Sequence, residues 1–401
     1  MPSICFYFQV HQPFRLRSYD CFKIGYEHNY QDDLKNREIF DRVSTRCYIP
    51  ANNVMLKLIE QHQGKFKIAY SISGTALEQM ENYRPDVLQS FQALAKTGCV
   101  EFLSETYHHS LSFLYSKEEF IRQIGRHKEK IEQVFQQSPT IFRNTELIYN
   151  NEIANLVTEL GYSGILCEGL ERILGTKSPN FPCHPPKNAN IKTLLRNRKL
   201  SQNIVLGFAT NEWAEYRLTP MNFTRSIQQT RLPGETINLF MNYEIFSEHR
   251  WPTAGILNFM AQLPGEIFEH SDFDFKTPSE VVACNDAQEQ YDAHYLNSWA
   301  DDEHDLSAWL GNTLQQDAIE RVYSLEKLVK ETGNEELIDN WARLLSSDHF
   351  HYMCTKHWKD GDVHKYFSQY NTPYDAYINY MNIVTDLEYV LEAHCEAVTG
   401  E

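Results

Sequence analysis

The sequence predicts an α/β protein in which a parallel β/α barrel is followed by a C-terminal helical region. Short apolar runs alternate with polar loops and helical segments about seven times over the first 290 residues, a pattern typical of parallel α/β folds. Titratable and aromatic residues cluster directly after these runs, where α/β barrels keep their functional groups. Beyond about residue 290, helical periodicity continues without a further strand-like run.

The predicted strands are short and rich in aliphatic, β-branched and aromatic residues. They lie at residues 4–10, 66–72, 100–103, 140–142, 164–167, 204–208 and 237–241. Pro13 ends regular structure after the first strand, because the residue before a proline is biased away from the helical region. A loop rich in Tyr, Asp and Asn is expected from there to about residue 48.

The predicted helices of the barrel carry apolar stripes. Gly64 and Gly98 end two of them, and Ser116 is the expected N-cap of another. The helices lie at residues 51–63, 86–96, 117–135, 152–160, 226–229 and 255–263.

The C-terminal quarter of the chain is predicted to be helical. Apolar stripes mark residues 306–328, 335–345 and 374–398. We therefore expect a barrel over residues 1–290 and a helical domain over residues 291–401 that packs on it. No low-complexity linker separates the two parts, so they are expected to share an extensive interface.

Composition and charge exclude several classes of partner. The 401-residue chain carries 54 acidic and 37 basic residues, a net charge of −17. Without a Lys/Arg cluster to meet phosphates, nucleic acid and anionic membranes are not expected partners. The nine cysteines are scattered without a Cys-x-x-Cys motif, and the N-terminus reads as a strand rather than a signal peptide. We expect a soluble, cytoplasmic protein; no residue pattern indicates an oligomeric state.

Polar residues after separate strands are expected to meet, because the carboxyl ends of parallel strands share one face of a barrel. His11, His109, Glu146 and Glu244 each follow a predicted strand. Retaining cleavage of a sugar bond needs two carboxyl groups about 5–5.5 Å apart. The candidates are Glu146 and the acidic cluster of Glu244 and Glu248. Alternatively, Glu146 serves only as a carboxylate near the start of the next helix.

Metal binding and aromatic stacking were the other functions that these residue types suggest. His11, His108 and His109, and likewise His349 and His351, lack a further ligand at metal-like spacing, so we predict no metal and no cofactor. Trp251, Trp299 and Trp309 lie beside charged loops. They are either platforms for the apolar face of a sugar or ordinary core residues.

Five blocks in order along the chain, at residues 10–13, 99–110, 142–149, 241–251 and 305–312, resemble those of glycoside hydrolase family 57. The resemblance is to its α-amylase-type members and spans nearly the whole chain. It implies an incomplete (β/α)7 barrel with a C-terminal helical region. It also implies retaining cleavage or transfer of α-glucosidic bonds without a metal, with an α-glucan or maltooligosaccharide as partner.

The resemblance also implies roles for individual residues. The family's nucleophile, a Glu in the third block, falls on Glu146, whereas its acid/base, an Asp in the fourth block, is replaced by Asn242. An amide has no titratable proton, so it cannot act as general acid or base. The expected substrate-binding residues are His11, Gln12, Glu105, His109, Glu244, His249, Trp251, Trp299, Asp305 and Trp309.

The leading hypothesis is an α-amylase-like protein with a glucan-binding cleft whose hydrolysis is weak or absent. A second is an active α-glucan hydrolase or 4-α-glucanotransferase in which Glu244, Glu248 or a substrate group replaces the missing acid. A third is a non-catalytic glucan-binding or regulatory protein. A metal-dependent deacetylase on a similar barrel is a more distant alternative, which would require a bound metal.

Overall fold

The computed structural model describes residues 2–208, 218–230, 236–246, 254–287, 289–356 and 368–399. Its strands are β1 (Ser3–Val10), β2 (Ile68–Ile72), β3 (Val100–Phe102), β4 (Ile141–Arg143), β5 (Gly164–Glu168), β6 (Cys183–His184), β7 (Lys192–Arg196), β8 (Thr236–Asn242), β9 (Asp274–Phe275) and β10 (Glu289–Gln290). Its α-helices are Asp33–Val43, Ile49–Gln61, Gly74–Tyr83, Pro85–Lys96, Lys117–Phe135, Asn151–Glu159, Glu171–Leu174, Arg198–Leu206, Pro220–Gln229, Ala254–His270, Pro278–Cys284, Ser307–Leu310, Thr313–Ser324, Glu326–Glu331, Glu335–Leu344, Ser347–His351 and Pro373–Thr399.

Parallel pairing closes seven of these strands into a ring. β1 lies between β2 and β8, and β2 continues to β3. β4 pairs with β5, and β5 pairs with β7. Single residue pairs make the two remaining links, Ser104 with Phe142 between β3 and β4, and Arg196 with Asn238 between β7 and β8. The predicted α/β class with a parallel barrel is confirmed.

Alternation along the strands separates the inside of the barrel from its outside. On β1, Phe6 and Phe8 pack outward into the cluster that includes the surrounding helices, whereas Cys5 and Tyr7 belong to a separate inner cluster. On β8, Phe240 is an inner residue. The inner cluster comprises Cys5, Tyr7, Ala69, Leu103, Ile141, Leu147, Leu166, Leu194, Phe240, Val281 and Val282.

The predicted strand at residues 204–208 is wrong. Residues Arg198–Leu206 form a helix, and the strand of this unit is β7, which the sequence analysis did not predict. Asn197 caps the helix, because its side chain accepts a hydrogen bond from the backbone N–H of Leu200. Leu200 and Ile204 are then buried four residues apart on one helical face. The short apolar run Ile204–Leu206 fits both periodicities, and the cap decides between them.

Part of the predicted loop before residue 48 is also helical. Asp32 caps helix Asp33–Val43 by accepting from the N–H of Lys35, and Phe40 and Val43 bury its inner face. In the C-terminal region, the predicted helix 306–328 is interrupted. Asn312 caps a new helix there by accepting from the N–H of Gln315.

The C-terminal helices pack against one side of the barrel. Trp341 and Leu387 share a buried cluster with Phe142 of β4 and Ile153 of helix Asn151–Glu159. The division at residue 290 stays a prediction. No helix in the described ranges combines the length and apolar character needed to cross a membrane.

Candidate functional site

The carboxyl end of the barrel carries polar side chains where the inner apolar cluster ends. Gln9 on β1 and Asn242 on β8 are partners in the parallel register, on strands about 4.8 Å apart. By alternation from Tyr7 and Phe240, both side chains point toward the barrel interior. Asn242 is exposed, although the preceding six residues of β8 are buried. An inward-facing amide therefore stands open at the mouth of the barrel.

Glu146 lies directly after β4 in a strained turn. Its backbone is left-handed, with φ 53° and ψ 30°, a conformation that costs a non-glycine residue on the order of 1–3 kcal/mol. Leu147, with φ 50°, is anchored in the inner cluster. The two carboxylate oxygens of Glu146 accept hydrogen bonds from His109 Nε2 at 2.8 Å and Trp299 Nε1 at 2.7 Å. The turn thus presents a carboxylate whose two oxygens are both held by hydrogen bonds.

His109 joins two carboxylates. Its Nε2 meets Glu146, and its Nδ1 lies 3.2 Å from Glu105 Oε2. Ionised carboxylates only accept hydrogen bonds, so with Glu105 and Glu146 both ionised each ring nitrogen carries a proton and the ring is cationic. Burial alone would lower the pKa of His109, but the bonds to Glu105 and Glu146 raise it to about 9. Burial would raise the pKa of Glu146, but chiefly the bond from His109 lowers it to about 2. Glu146 is therefore an ionised carboxylate at neutral pH.

Arg143 balances the second negative charge of this cluster. It is fully buried, and its Nη1 lies 3.5 Å from Glu105 Oε2. Its Nη2 donates to the side-chain oxygen of Gln9. Two carboxylates thus face one imidazolium and one guanidinium. Arg143 was not among the predicted site residues, although it directly follows the predicted strand 140–142.

His11 connects this cluster to the C-terminal helices. Its ring stacks on His109 with centroids 4.0 Å apart. Its Nε2 lies 2.8 Å from Asp348 Oδ2, and its Nδ1 lies 2.7 Å from Ser73 Oγ. Burial and the charge of His109 lower the pKa of His11, so the neutral ring donates from Nε2 and accepts at Nδ1. Nothing in the sequence predicted that Asp348, on helix Ser347–His351, would contact this site.

A second buried ion pair, between Glu168 and Arg196, lies beside Trp299. Arg196 Nη1 contacts Glu168 Oε2 at 2.9 Å, and Arg196 Nε donates to the backbone oxygen of Phe240 at 2.8 Å. The guanidinium carbons of Arg143 and Arg196 lie 5.3 and 5.6 Å from the Trp299 ring centroid, within the range of cation–π attraction. The indole that donates to Glu146 therefore lies close to two guanidinium cations.

Three other predicted site residues have contacts of their own. Glu244 is buried and accepts from Tyr48 OH at 2.6 Å and from the backbone N–H of His11 at 3.3 Å. Gln12 accepts from Arg15 at 3.1 Å. Asp305 accepts from the backbone N–H of Ser307 at 2.8 Å.

Trp309 is buried in the cluster shared with the C-terminal helices. His249 and Trp251, with Glu248, lie outside the described residues. Within the described ranges, no three His, Cys, Asp or Glu residues are grouped to hold a metal ion. Of the predicted site residues, the structure thus brings together His11, Glu105, His109, Glu146 and Trp299. Asn242 lies on β8, the strand that pairs with β1.

The ion pair of His109 and Glu146 predicts how stability depends on pH. A lowered pKa of Glu146 stabilises the fold above the ordinary value of 4.5, and this contribution is lost as pH falls toward 2. A raised pKa of His109 stabilises the fold below 6.5, and this contribution is lost as pH rises toward 9. Urea unfolding should show the pair's full contribution from pH 4.5 to 6.5. The loss between pH 6.5 and 9 should be on the order of 1–3 kcal/mol.

His109→Gln is the control for this pH profile, because it removes the titrating ring. The difference between wild type and variant should shrink between pH 6.5 and 9. A difference that stays constant across this interval would contradict a cationic His109.

Two sequence comparisons relate this chain to known glycoside hydrolases. Residues 5–298 match the sequence profile of Glycosyl hydrolase family 57. The "Putative alpha-amylase" of Methanocaldococcus jannaschii is 40% identical over 405 aligned positions, which cover 97% of this chain and 85% of that protein.

Solved structures support the fold. The 4-alpha-glucanotransferase from Thermococcus litoralis has a TM-score of 0.67 at 14% identity, covering 87% of this chain and 56% of its own. The GH57-type branching enzyme from Pyrococcus horikoshii has a TM-score of 0.68 at 14% identity, and the match covers 91% of this chain and 87% of that enzyme. The present chain thus spans little more than half the length of the glucanotransferase. At these identities the likeness establishes the fold alone.

Proposed function

Because the chain belongs to glycosyl hydrolase family 57, we propose that it binds an α-glucan or maltooligosaccharide across the mouth of the barrel. Glu146 is the retaining-type nucleophile in this proposal, and Asn242 occupies the position of the missing acid/base. Hydrolysis is therefore weak or absent. The observation that carries the proposal is an ionised, doubly hydrogen-bonded Glu146 with an inward-facing Asn242 at the same end of the barrel.

The geometry of Glu146 suits attack on an anomeric carbon. Each carboxylate oxygen has two lone pairs, and His109 and Trp299 occupy one on each oxygen. A lone pair therefore remains for the new C–O bond. The positive charge that develops on the sugar ring would lie beside this carboxylate, which is the charge complementarity that the reaction requires.

Asn242 can bind sugar but cannot exchange protons with it. Its amide can donate a hydrogen bond to a sugar hydroxyl or to the glycosidic oxygen. It cannot protonate the leaving oxygen, nor deprotonate the water that releases the glycosyl-enzyme. Loss of a positioned acid/base slows such reactions by about 10²–10⁴-fold, which corresponds to roughly 3–5 kcal/mol of barrier.

Calorimetry with maltooligosaccharides, combined with product analysis after long incubation, tests this function. We expect heat of binding at millimolar ligand with little or no shortened product. Glu146→Gln should abolish any residual product, whereas Glu129→Gln should not. Glu129 is an exposed carboxylate on helix Lys117–Phe135, so the control makes the same chemical change. No heat would contradict the binding cleft, and rapid turnover would contradict weak hydrolysis.

A second candidate is an active α-glucan hydrolase or 4-α-glucanotransferase with a different acid. The structure favours Glu168 for this role over Glu244, whose Oε1 already accepts two hydrogen bonds. Glu168 follows Leu166 in the inward alternation of β5. Its Oε1 has no hydrogen-bond partner within the described residues. Burial raises the pKa of Glu168 and Arg196 opposes this shift. The buried ion pair with Arg196 would have to open before Glu168 could donate a proton to a substrate.

The second candidate predicts that Glu168→Gln removes turnover of maltooligosaccharides by about 10²-fold or more. The acidic group seen in the pH–rate profile should disappear with it. If turnover is measurable and Glu168→Gln leaves both its rate and its pH profile unchanged, Glu168 is not the acid.

A further inference from the structure

The exposed amide of Asn242 changes which acceptor the site can use. We propose that this site transfers a glucosyl group from a donor with an acidic leaving group to a small inorganic anion, such as azide, in preference to water. The inference rests on the proposed role of Glu146 as nucleophile. It goes beyond that role by naming the acceptor class that Asn242 selects.

The side chain at position 242 affects how strongly an anionic acceptor is repelled. The carboxylates of Glu105 and Glu146 are balanced by the cations of His109 and Arg143. Glu168 is paired with Arg196. An aspartate at position 242 would add an unbalanced negative charge where an acceptor must approach. The neutral amide removes that charge, so an anion meets less repulsion there.

The remaining carboxylates near the mouth are held by hydrogen bonds on the β1 side. Asp348 accepts from His11 and Ser346, and Glu244 accepts from Tyr48. Asn242, in contrast, is exposed and has no hydrogen bond from its side chain within the part of the chain described. Its N–H groups are available to an incoming anion.

The proposed reaction needs no proton transfer in either step. With α-glucosyl fluoride as donor, a carboxylate oxygen of Glu146 attacks C1, and the C1–F bond breaks with fluoride taking the bonding pair. Azide then attacks C1 of the β-glucosyl ester, and the ester C–O bond breaks to restore the Glu146 carboxylate. The product is α-glucosyl azide with net retention. Water in the second step would have to lose a proton, for which Asn242 offers no base.

The test follows fluoride release from α-glucosyl fluoride with and without sodium azide, and sodium chloride keeps the ionic strength constant. We expect azide to accelerate release by about 10²-fold, the lower end of what a missing general base costs. NMR should identify α-glucosyl azide as the main product. Asn242→Asp should hydrolyse the donor faster without azide and lose most of the azide response. Glu146→Gln should release no fluoride above the solution rate.

Fluoride release that depends on Glu146 but not on azide, without α-glucosyl azide, would overturn the inference. So would the absence of release both with and without azide. Because maltooligosaccharide binding is measured separately by calorimetry, failure of the anion reaction with intact binding leaves the glucan-binding function standing. Azide-accelerated release without any maltooligosaccharide binding would instead overturn that function and leave the acceptor inference standing.

Discussion

Asn242→Asp is expected to raise the hydrolysis of unactivated maltooligosaccharides by about 10²–10⁴-fold. The substitution replaces an amide by a carboxyl group of nearly the same shape, at an exposed, inward-facing position at the end of β8. Glu146 is already held by two hydrogen bonds. The only element that the change supplies is therefore a proton donor and acceptor. Release of reducing ends from maltoheptaose measures the gain.

The gain should depend on the leaving group of the substrate. An aryl α-glucoside with an acidic phenol leaves without full protonation, so its first step should gain much less than that of maltoheptaose. Asn242→Ala removes the amide without supplying a carboxyl group and should give no gain. The double variant Asn242→Asp with Glu146→Gln should be inactive. A rate within about threefold of wild type for Asn242→Asp would contradict the assignment of position 242 to the acid/base.

Arg143→Met is expected to destabilise the protein by about 3–5 kcal/mol, because it leaves a buried charge without its partner. Glu105 and Arg143 both have fully buried side chains. Methionine fills a similar volume but cannot compensate the Glu105 carboxylate or donate to Gln9. The free energy of unfolding in urea, taken from midpoint and slope, measures the loss.

Arg84→Met is the matched control for this stability measurement. Arg84 pairs with Asp86 and Asp41, each at 2.7 Å, and both of these carboxylates are exposed. Exposed ion pairs contribute about 0–1 kcal/mol, so the control should cost little. Equal losses for the two variants would show that burial of the Arg143 cluster does not set its contribution to stability.

The elements with strong local signals were predictable. Helix Lys117–Phe135 begins after Ser116, whose side chain caps it. Six of the seven predicted strands were found, each within two residues of its observed ends. The helix at residues 198–206 was not predictable, because its apolar residues fit the period of a helix and that of a strand equally well. Only the cap at Asn197 and the packing on β8 select the helix. Helix Asp33–Val43 was missed because only three of its residues are buried, so its apolar stripe is weak.

The sequence by itself determined the α/β barrel and the family, and it supplied the two positions proposed as nucleophile and lost acid/base, Glu146 and Asn242. These follow from local periodicity and from which residue stands at a given place in a block. Only the tertiary structure decided the charge state of the site. Asp348 reaches His11 across 337 residues, and Arg143 and His109 reach Glu105 and Glu146 through the barrel interior. Burial and contact through space set a pKa, and neither is written in the local sequence.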